Sequence, residues 1–194
     1  QRNIKRPVHG DPTLASVARA RHNPRRTAAD HRAEQRVQRT IQSNSPQQTE
    51  AFAQRIAPSL RAGDTLLLHG PVGAGKSLLC RALIQALQAA AGQAPEDVPS
   101  PSYTLVQTYA AGRLEIWHAD LYRLSDPAEL AELGLEEAFA TALTLIEWPE
   151  RMGPATPART LSLNLTPDDA QEDQRRITLT AEGPGWSRVL EAAA

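Results

Sequence analysis

The sequence predicts an α/β fold, a mixed sheet flanked by helices and carrying antiparallel hairpins, on three observations. The apolar run Leu66-Leu67-Leu68-His69 leads into a glycine-rich loop and then a long helical stripe. A second short apolar run, Ala142 to Ile146, has the unbroken hydrophobicity of a strand buried on both faces. Two further pairs of strand-like segments, joined by short turns, supply the hairpins.

Taken in order, the chain opens on a basic stretch. Residues 1–42 hold ten Lys or Arg against three acids in a chain of net charge −1, so the remainder is acidic. With few large apolar residues and no sustained period, residues 1–44 read as a basic, disordered or marginally helical arm, and 45–194 as the folded domain. An inert tail, an RNA contact and a targeting segment stand open for the arm, in that order.

Ser45-Pro46 has the form of a helix cap followed by proline at the first helical position. Phe52, Ile56 and Leu60 then recur at helical spacing, and Pro58 must kink or shorten the helix. Gly63-Asp64 turns the chain into a strand over Thr65 to His69. Leu78, Leu79, Ala82, Leu83, Ala86, Leu87 and Ala90 form one helical stripe, which Gly92 can end, and residues 93–101 are a Pro-rich loop. Tyr103 to Tyr109 and Arg113 to His118, linked by Ala110-Ala111-Gly112, predict an antiparallel hairpin. Asp126-Pro127-Ala128-Glu129 combines a cap, a first-turn proline and a capping-box acid, so a short helix should run to about Gly134, with a second over Leu135 to Ala140. Leu161 to Leu165 and Arg175 to Thr180, around the acidic turn Pro167-Asp168-Asp169, predict a second hairpin at the edge of the sheet. Trp186 to Ala192 reads as a closing helix.

Cys80 is the single cysteine, which excludes an internal disulfide and suits the cytoplasm. No apolar run approaches the length that spans a bilayer, so no membrane partner is expected.

The chemistry centres on Gly70-Pro71-Val72-Gly73-Ala74-Gly75-Lys76-Ser77, a G-x-x-x-x-G-K-S sequence set between a strand and a helix. In that context the glycines let backbone N–H groups turn inward around phosphate oxygens, from Gly70 through Leu78, and the helix aims its positive end at the same anion. Lys76 supplies a point charge for the β- and γ-phosphates, and the Ser77 hydroxyl can ligate Mg²⁺. A phosphate loop also needs acids, and Asp120 and Glu147 each follow a strand-like run, where a carboxylate points into the ligand crevice of an α/β sheet. Either can hold the metal or position water. Trp148 can wall the nucleotide site. His118 reads as a core histidine satisfied by backbone, and the hydroxyls of Ser100 to Thr104, Thr104 among them, fall where such proteins sense the γ-phosphate. The absence of an N-K-x-D guanine signature favours ATP.

Four motifs in order, GPVGAGKS at 70–77, SPSYTLV at 100–106, HADLYRL at 118–124 and LIEWPER at 145–151, give the chain its family likeness. It resembles the TsaE (YjeE-type) ATPases of bacterial tRNA threonylcarbamoyladenosine biosynthesis. The likeness spans residues 45–151 and the C-terminal hairpin in outline, and includes the acidic stretch Asp126 to Phe139. It implies a P-loop ATPase that uses ATP and Mg²⁺ and works with TsaB and TsaD, which carry out threonylcarbamoyl transfer to the adenosine next to the anticodon. The tRNA is then met only through that complex. By position, Lys76 and Ser77 are the phosphate and metal residues, Asp120 and Glu147 the acidic site residues, and Trp148 the aromatic beside the nucleotide. Ser102 stands where the family commonly has Thr, and Ala119 where it commonly has a bulky aromatic. The basic arm has no counterpart in the pattern.

Two other readings share the phosphate loop. A small-molecule or nucleotide kinase needs an Arg-rich lid, for which Arg123 and Arg151 are the only residues near the motifs. A nucleotide-dependent interaction protein with negligible turnover uses ATP to order a binding surface.

Overall fold

The computed structural model describes residues 37–126, 129–168, 170–171 and 173–194. Residues 1–36, most of the stretch read as a basic arm, lie outside the described residues, as does the first-turn Pro127.

The described chain folds into one seven-stranded sheet with the order β1-β7-β6-β2-β5-β4-β3. The strands are β1 (Val37–Ser43), β2 (Thr65–His69), β3 (Val106–Ala111), β4 (Leu114–Asp120), β5 (Leu143–Glu147), β6 (Thr160–Pro167) and β7 (Arg175–Glu182). Parallel pairing joins β6, β2, β5 and β4, while β1–β7, β6–β7 and β3–β4 are antiparallel. This is the mixed sheet with hairpins that the sequence predicts.

The sheet corrects the sequence reading in three places. Val37–Ser43, assigned to the arm, is a strand paired along its whole length with β7, from Val37↔Ala181 to Ser43↔Arg175. Its mostly polar and exposed residues, with Ile41 half-buried and Ser43 buried, give little core signal, as suits an edge strand, and the folded part begins at least eight residues before Ser45. The β6–β7 hairpin is therefore interior, with β1 covering β7. Tyr103 to Leu105 form a turn in place of the start of β3, and Leu105 sits at φ 63°, a conformation that ends strand pairing.

Helix α1 (Pro46–Ile56) starts as predicted, with the Ser45 side chain accepting from the Gln48 N–H and proline in the first turn. A 3₁₀ turn over Ala57–Ser59 follows where Pro58 interrupts it. Helix α2 (Lys76–Ala90) lays Leu79, Leu83 and Ile84, all fully buried, against one sheet face. Short helices α3 (Glu129–Glu132) and α4 (Leu135–Thr141) cover the other face, and α5 (Ser187–Ala192) closes the chain. Strand alternation divides the core accordingly. Leu66, Leu68, Leu143, Leu145 and Ile116 pack with α1, α2 and α5, whereas Leu67, Ile146, Ala119 and Leu121 pack with Leu130, Leu135 and Met152. At the end of the sheet remote from the glycine loop, the fully buried Asp64 carboxylate binds Arg159 at 2.7 Å and also Arg188, which ties β2, β6 and α5 together.

Candidate nucleotide site

The parity that buries Leu143 and Leu145 against α2 carries Glu147 to the same face at the strand end, and the parity of Ile116 does so for His118 and Asp120 on β4. Asp120 and Glu147 are register partners across the β4–β5 pair. The glycine loop leaves the neighbouring strand β2 at Gly70, so both acids face it from adjoining strand ends.

The loop is folded tightly on the sheet. A side chain at Gly70 would meet the Leu165 carbonyl oxygen 2.5 Å away, and its φ of 139° suits only glycine. Lys76 is buried, and its Nζ donates to the carbonyls of Gly70 at 2.7 Å and Pro71 at 2.9 Å. It also lies 3.9 Å from the centre of the Trp148 ring. Burial lowers the Lys76 pKa, and Glu147, Asp120 and Glu150 oppose that shift by favouring the cation. Trp148 reaches this position from a left-handed backbone conformation, φ 58° and ψ 49°, directly after β5, and its ring tilts against Tyr122 with centroids 4.9 Å apart.

Ser77 Oγ donates to Glu147 Oε2 at 2.9 Å. The other carboxylate oxygen, Oε1, accepts from His118 Nε2 at 2.9 Å. His118 is thus satisfied by a carboxylate and not by backbone, and its Nδ1 finds no hydrogen-bond partner among the described residues. The Cys80 thiol lies in the same buried cluster, within 4.8 Å of His118 and Glu147, and burial pushes its pKa well up, so it is a neutral thiol there. Asp120 is held differently. Its Oδ2 accepts from Ser102 Oγ at 2.6 Å and Ser100 Oγ at 2.9 Å, and its Oδ1 from the Tyr122 N–H at 3.1 Å.

Lys76, Ser77, Ser100, Ser102, Asp120, Tyr122, Glu147 and Trp148 line a cleft of about 370 Å³ that also takes in Val72, Gly73, Tyr103 and Arg123, with His118 and Cys80 buried behind it. Of the residues singled out in the sequence, Lys76, Ser77, Asp120, Glu147 and Trp148 come together there, with Val72 and Gly73 of the loop. Thr104 does not: it is exposed, and Ser100 and Ser102 supply the hydroxyls at the cleft instead. The Leu78 side chain lines a separate groove of about 500 Å³ beside α1, so its backbone N–H, one of the free donors at the start of α2, is the group it can offer a phosphate. The partnership of His118 with Glu147 was missed by sequence reasoning, although alternation along β4 already puts His118 on the face of Asp120.

The donor set fits a magnesium nucleotide. A hydroxyl and a carboxylate already aligned at 2.9 Å present hard oxygen atoms to Mg²⁺, beside a lysine held at the open N-terminus of a helix.

A sequence profile of the family described as "Threonylcarbamoyl adenosine biosynthesis protein TsaE" matches residues 43–177. The chain belongs to the TsaE family. Its relatives include the tRNA threonylcarbamoyladenosine biosynthesis protein TsaE of Rickettsia bellii, 39% identical over 139 residues that make up 72% of this chain and 92% of that protein. The protein of the same name from Bacillus subtilis is 32% identical over 148 residues, 76% of this chain and 88% of the relative. The fold is similar to the crystal structure of Bacillus subtilis YdiB, with a TM-score of 0.65 and 28% identity over 81% of this chain and 95% of that one. The family match begins at Ser43, so most of β1 precedes the matched region.

Proposed function

We propose that this TsaE-family chain is a cytoplasmic P-loop ATPase subunit that binds Mg-ATP and supports a TsaB–TsaD pair in threonylcarbamoylation of the tRNA adenosine next to the anticodon. The observation that carries the reading is the hydrogen bond from Ser77 to Glu147, which joins the glycine loop to an acid on the adjoining strand. In this reading Lys76, together with the N–H groups of the loop and of Leu78, holds the phosphates, and Ser77 and Glu147 hold the metal. Magnesium, when bound, supplies charge stabilisation at the γ-phosphate. Glu147, steadied by His118, orients the attacking water, while Asp120 anchors the Ser100–Ser102 loop beside the terminal phosphate. Among the described residues no helix is long and apolar enough to cross a membrane.

The partner role is supported by the rim of the cleft. Tyr103 is 84% exposed, Val72 75% and Tyr122 48%, an apolar fringe around a polar site. Such a fringe is suited to covering by another protein, and tRNA then meets this chain only through that partner. Arg123, one of the two arginines near the motifs on which the kinase reading relies, is stacked on the Tyr103 ring, 4.3 Å from its centre.

Phosphate release is to be measured for the chain alone and with purified TsaB and TsaD. Stimulation by the pair is the expected result. Nucleotide binding without turnover in either condition would refute the ATPase reading and leave a nucleotide-dependent interaction protein.

A further inference from the structure

Arg175 opens β7 on the side of the glycine loop away from Glu147. It is only 8% exposed, yet its guanidinium is nearly unspent. Nη2 donates to the Asp173 carbonyl at 3.2 Å, and Nε finds no hydrogen-bond partner among the described residues. The side chain reaches the loop itself: a Cβ on Gly75 would lie 2.7 Å from Nη1. Gly75 caps α2 in a left-handed conformation, φ 96°, without a side-chain hydrogen bond to the helix, so the guanidinium stands at the free N–H end of that helix. A buried cation with idle donors at a helix N-terminus is an electrostatic arrangement that an anion completes.

The sheet order says which part of the nucleotide comes here. Strand β2, which delivers the loop, is flanked by β5 on one side and β6 on the other. Ser77 and Glu147 fix the metal and terminal phosphate toward β5. A polyphosphate wrapped on the start of α2 with that end toward β5 runs its nucleoside end toward β6 and the β6–β7 hairpin, where Arg175 sits.

We propose that Arg175 binds the α-phosphate of the nucleotide, a second cationic contact on the opposite flank of the loop from Lys76. The proposal rests on the nucleotide reading of the cleft. It gives the planar guanidinium a charge-assisted hydrogen bond to a non-bridging oxygen common to nucleoside di- and triphosphates. A Cβ at position 75, where the φ of 96° already calls for glycine, would also displace the guanidinium.

The test is calorimetric titration of the wild-type chain, Arg175→Gln and Arg175→Lys with ADP, GDP and a non-hydrolysable ATP analogue, alongside melting of each without nucleotide. Arg175→Gln should weaken ADP, GDP and the ATP analogue by the same factor, about 10- to 100-fold, the loss associated with one charge-assisted hydrogen bond. Arg175→Lys should recover part of that loss, and the nucleotide-free melting temperature should move little. Independently of any variant's folding, the Nε–H resonance of Arg175 in the wild-type chain should shift when ADP is added. Unchanged affinities with a lowered melting temperature, or an Nε–H signal indifferent to ADP, would reduce Arg175 to a packing residue. A loss confined to ADP and the ATP analogue would move the contact to the adenine ring and overturn the phosphate assignment. If the wild-type chain binds none of the three, the nucleotide reading fails and this proposal falls with it. Wild-type binding with unaffected variants overturns the Arg175 assignment alone.

Discussion

Under the proposed function, Glu147→Gln should separate nucleotide binding from hydrolysis. Both oxygens of the wild-type carboxylate are engaged, one by Ser77 Oγ and one by His118 Nε2, each at 2.9 Å. The amide keeps the shape and one acceptor, which can stay on Ser77. Its NH₂ then faces His118, whose ring accepts if the proton moves to Nδ1, a nitrogen that has no partner among the described residues in any case. Folding should therefore lose no more than about 1 kcal/mol, the value of one hydrogen bond, and the melting temperature about 2–4 °C. On the role proposed for Glu147, the loss of charge should act on the reaction: removing a group that positions the attacking water should cost about 10²- to 10⁴-fold, roughly 3–5 kcal/mol in the barrier. Affinity for a non-hydrolysable ATP analogue should change only a few-fold, because Lys76, the loop N–H groups and the Ser77 hydroxyl, the other residue proposed to hold the metal, remain in place. Phosphate release with the partner pair, single-turnover kinetics and calorimetry measure these quantities. Turnover near wild type would refute the role given to Glu147, most clearly if Asp120→Asn abolished it instead. An affinity loss as large as the rate loss would show that the carboxylate serves binding rather than the chemical step.

Three further outcomes follow from the fold. Truncation through Ser43 removes β1, with the half-buried Ile41 and the buried Ser43–Thr49 hydroxyl contact of 2.8 Å, and should cost about 2–3 kcal/mol, a fall of about 5–10 °C in melting temperature. An unaltered melting curve would show that the strand adds nothing to stability. The Cys80 thiol, fully buried with its pKa pushed up, should resist alkylation at pH 8 until urea unfolds the chain, and rapid labelling of the native protein would contradict that environment. Asp64→Ala strands Arg159 and Arg188 and should cost about 2–4 kcal/mol in urea denaturation, less than a wholly buried pair because both arginines are partly exposed. A cost below about 1 kcal/mol would mean that water replaces the carboxylate without penalty.

Local sequence determined the elements whose signals are short-range. Ser45-Pro46 sets the start of α1, Leu66 to Ser77 dictates strand, loop and helix, and the runs around Ile116 and Leu145 mark buried strands with acids at their ends. Glycine spacing, cap residues and periodicity act over one or two turns, so the glycine loop and the strand-end positions of both carboxylates were legible without the fold. Pairing decided the rest. Val37–Ser43 has no apolar alternation of its own and becomes a strand only because β7 presents an open edge to it. Glu147 takes Ser77 and His118 as partners, and Asp120 takes Ser100 and Ser102, because strand order and register set four separated segments side by side. Arg175 lies a hundred residues beyond Gly75, and only the hairpin that folds back over the loop brings its guanidinium there. Such contacts depend on which strand neighbours which, a property of the whole sheet's burial that no local window contains.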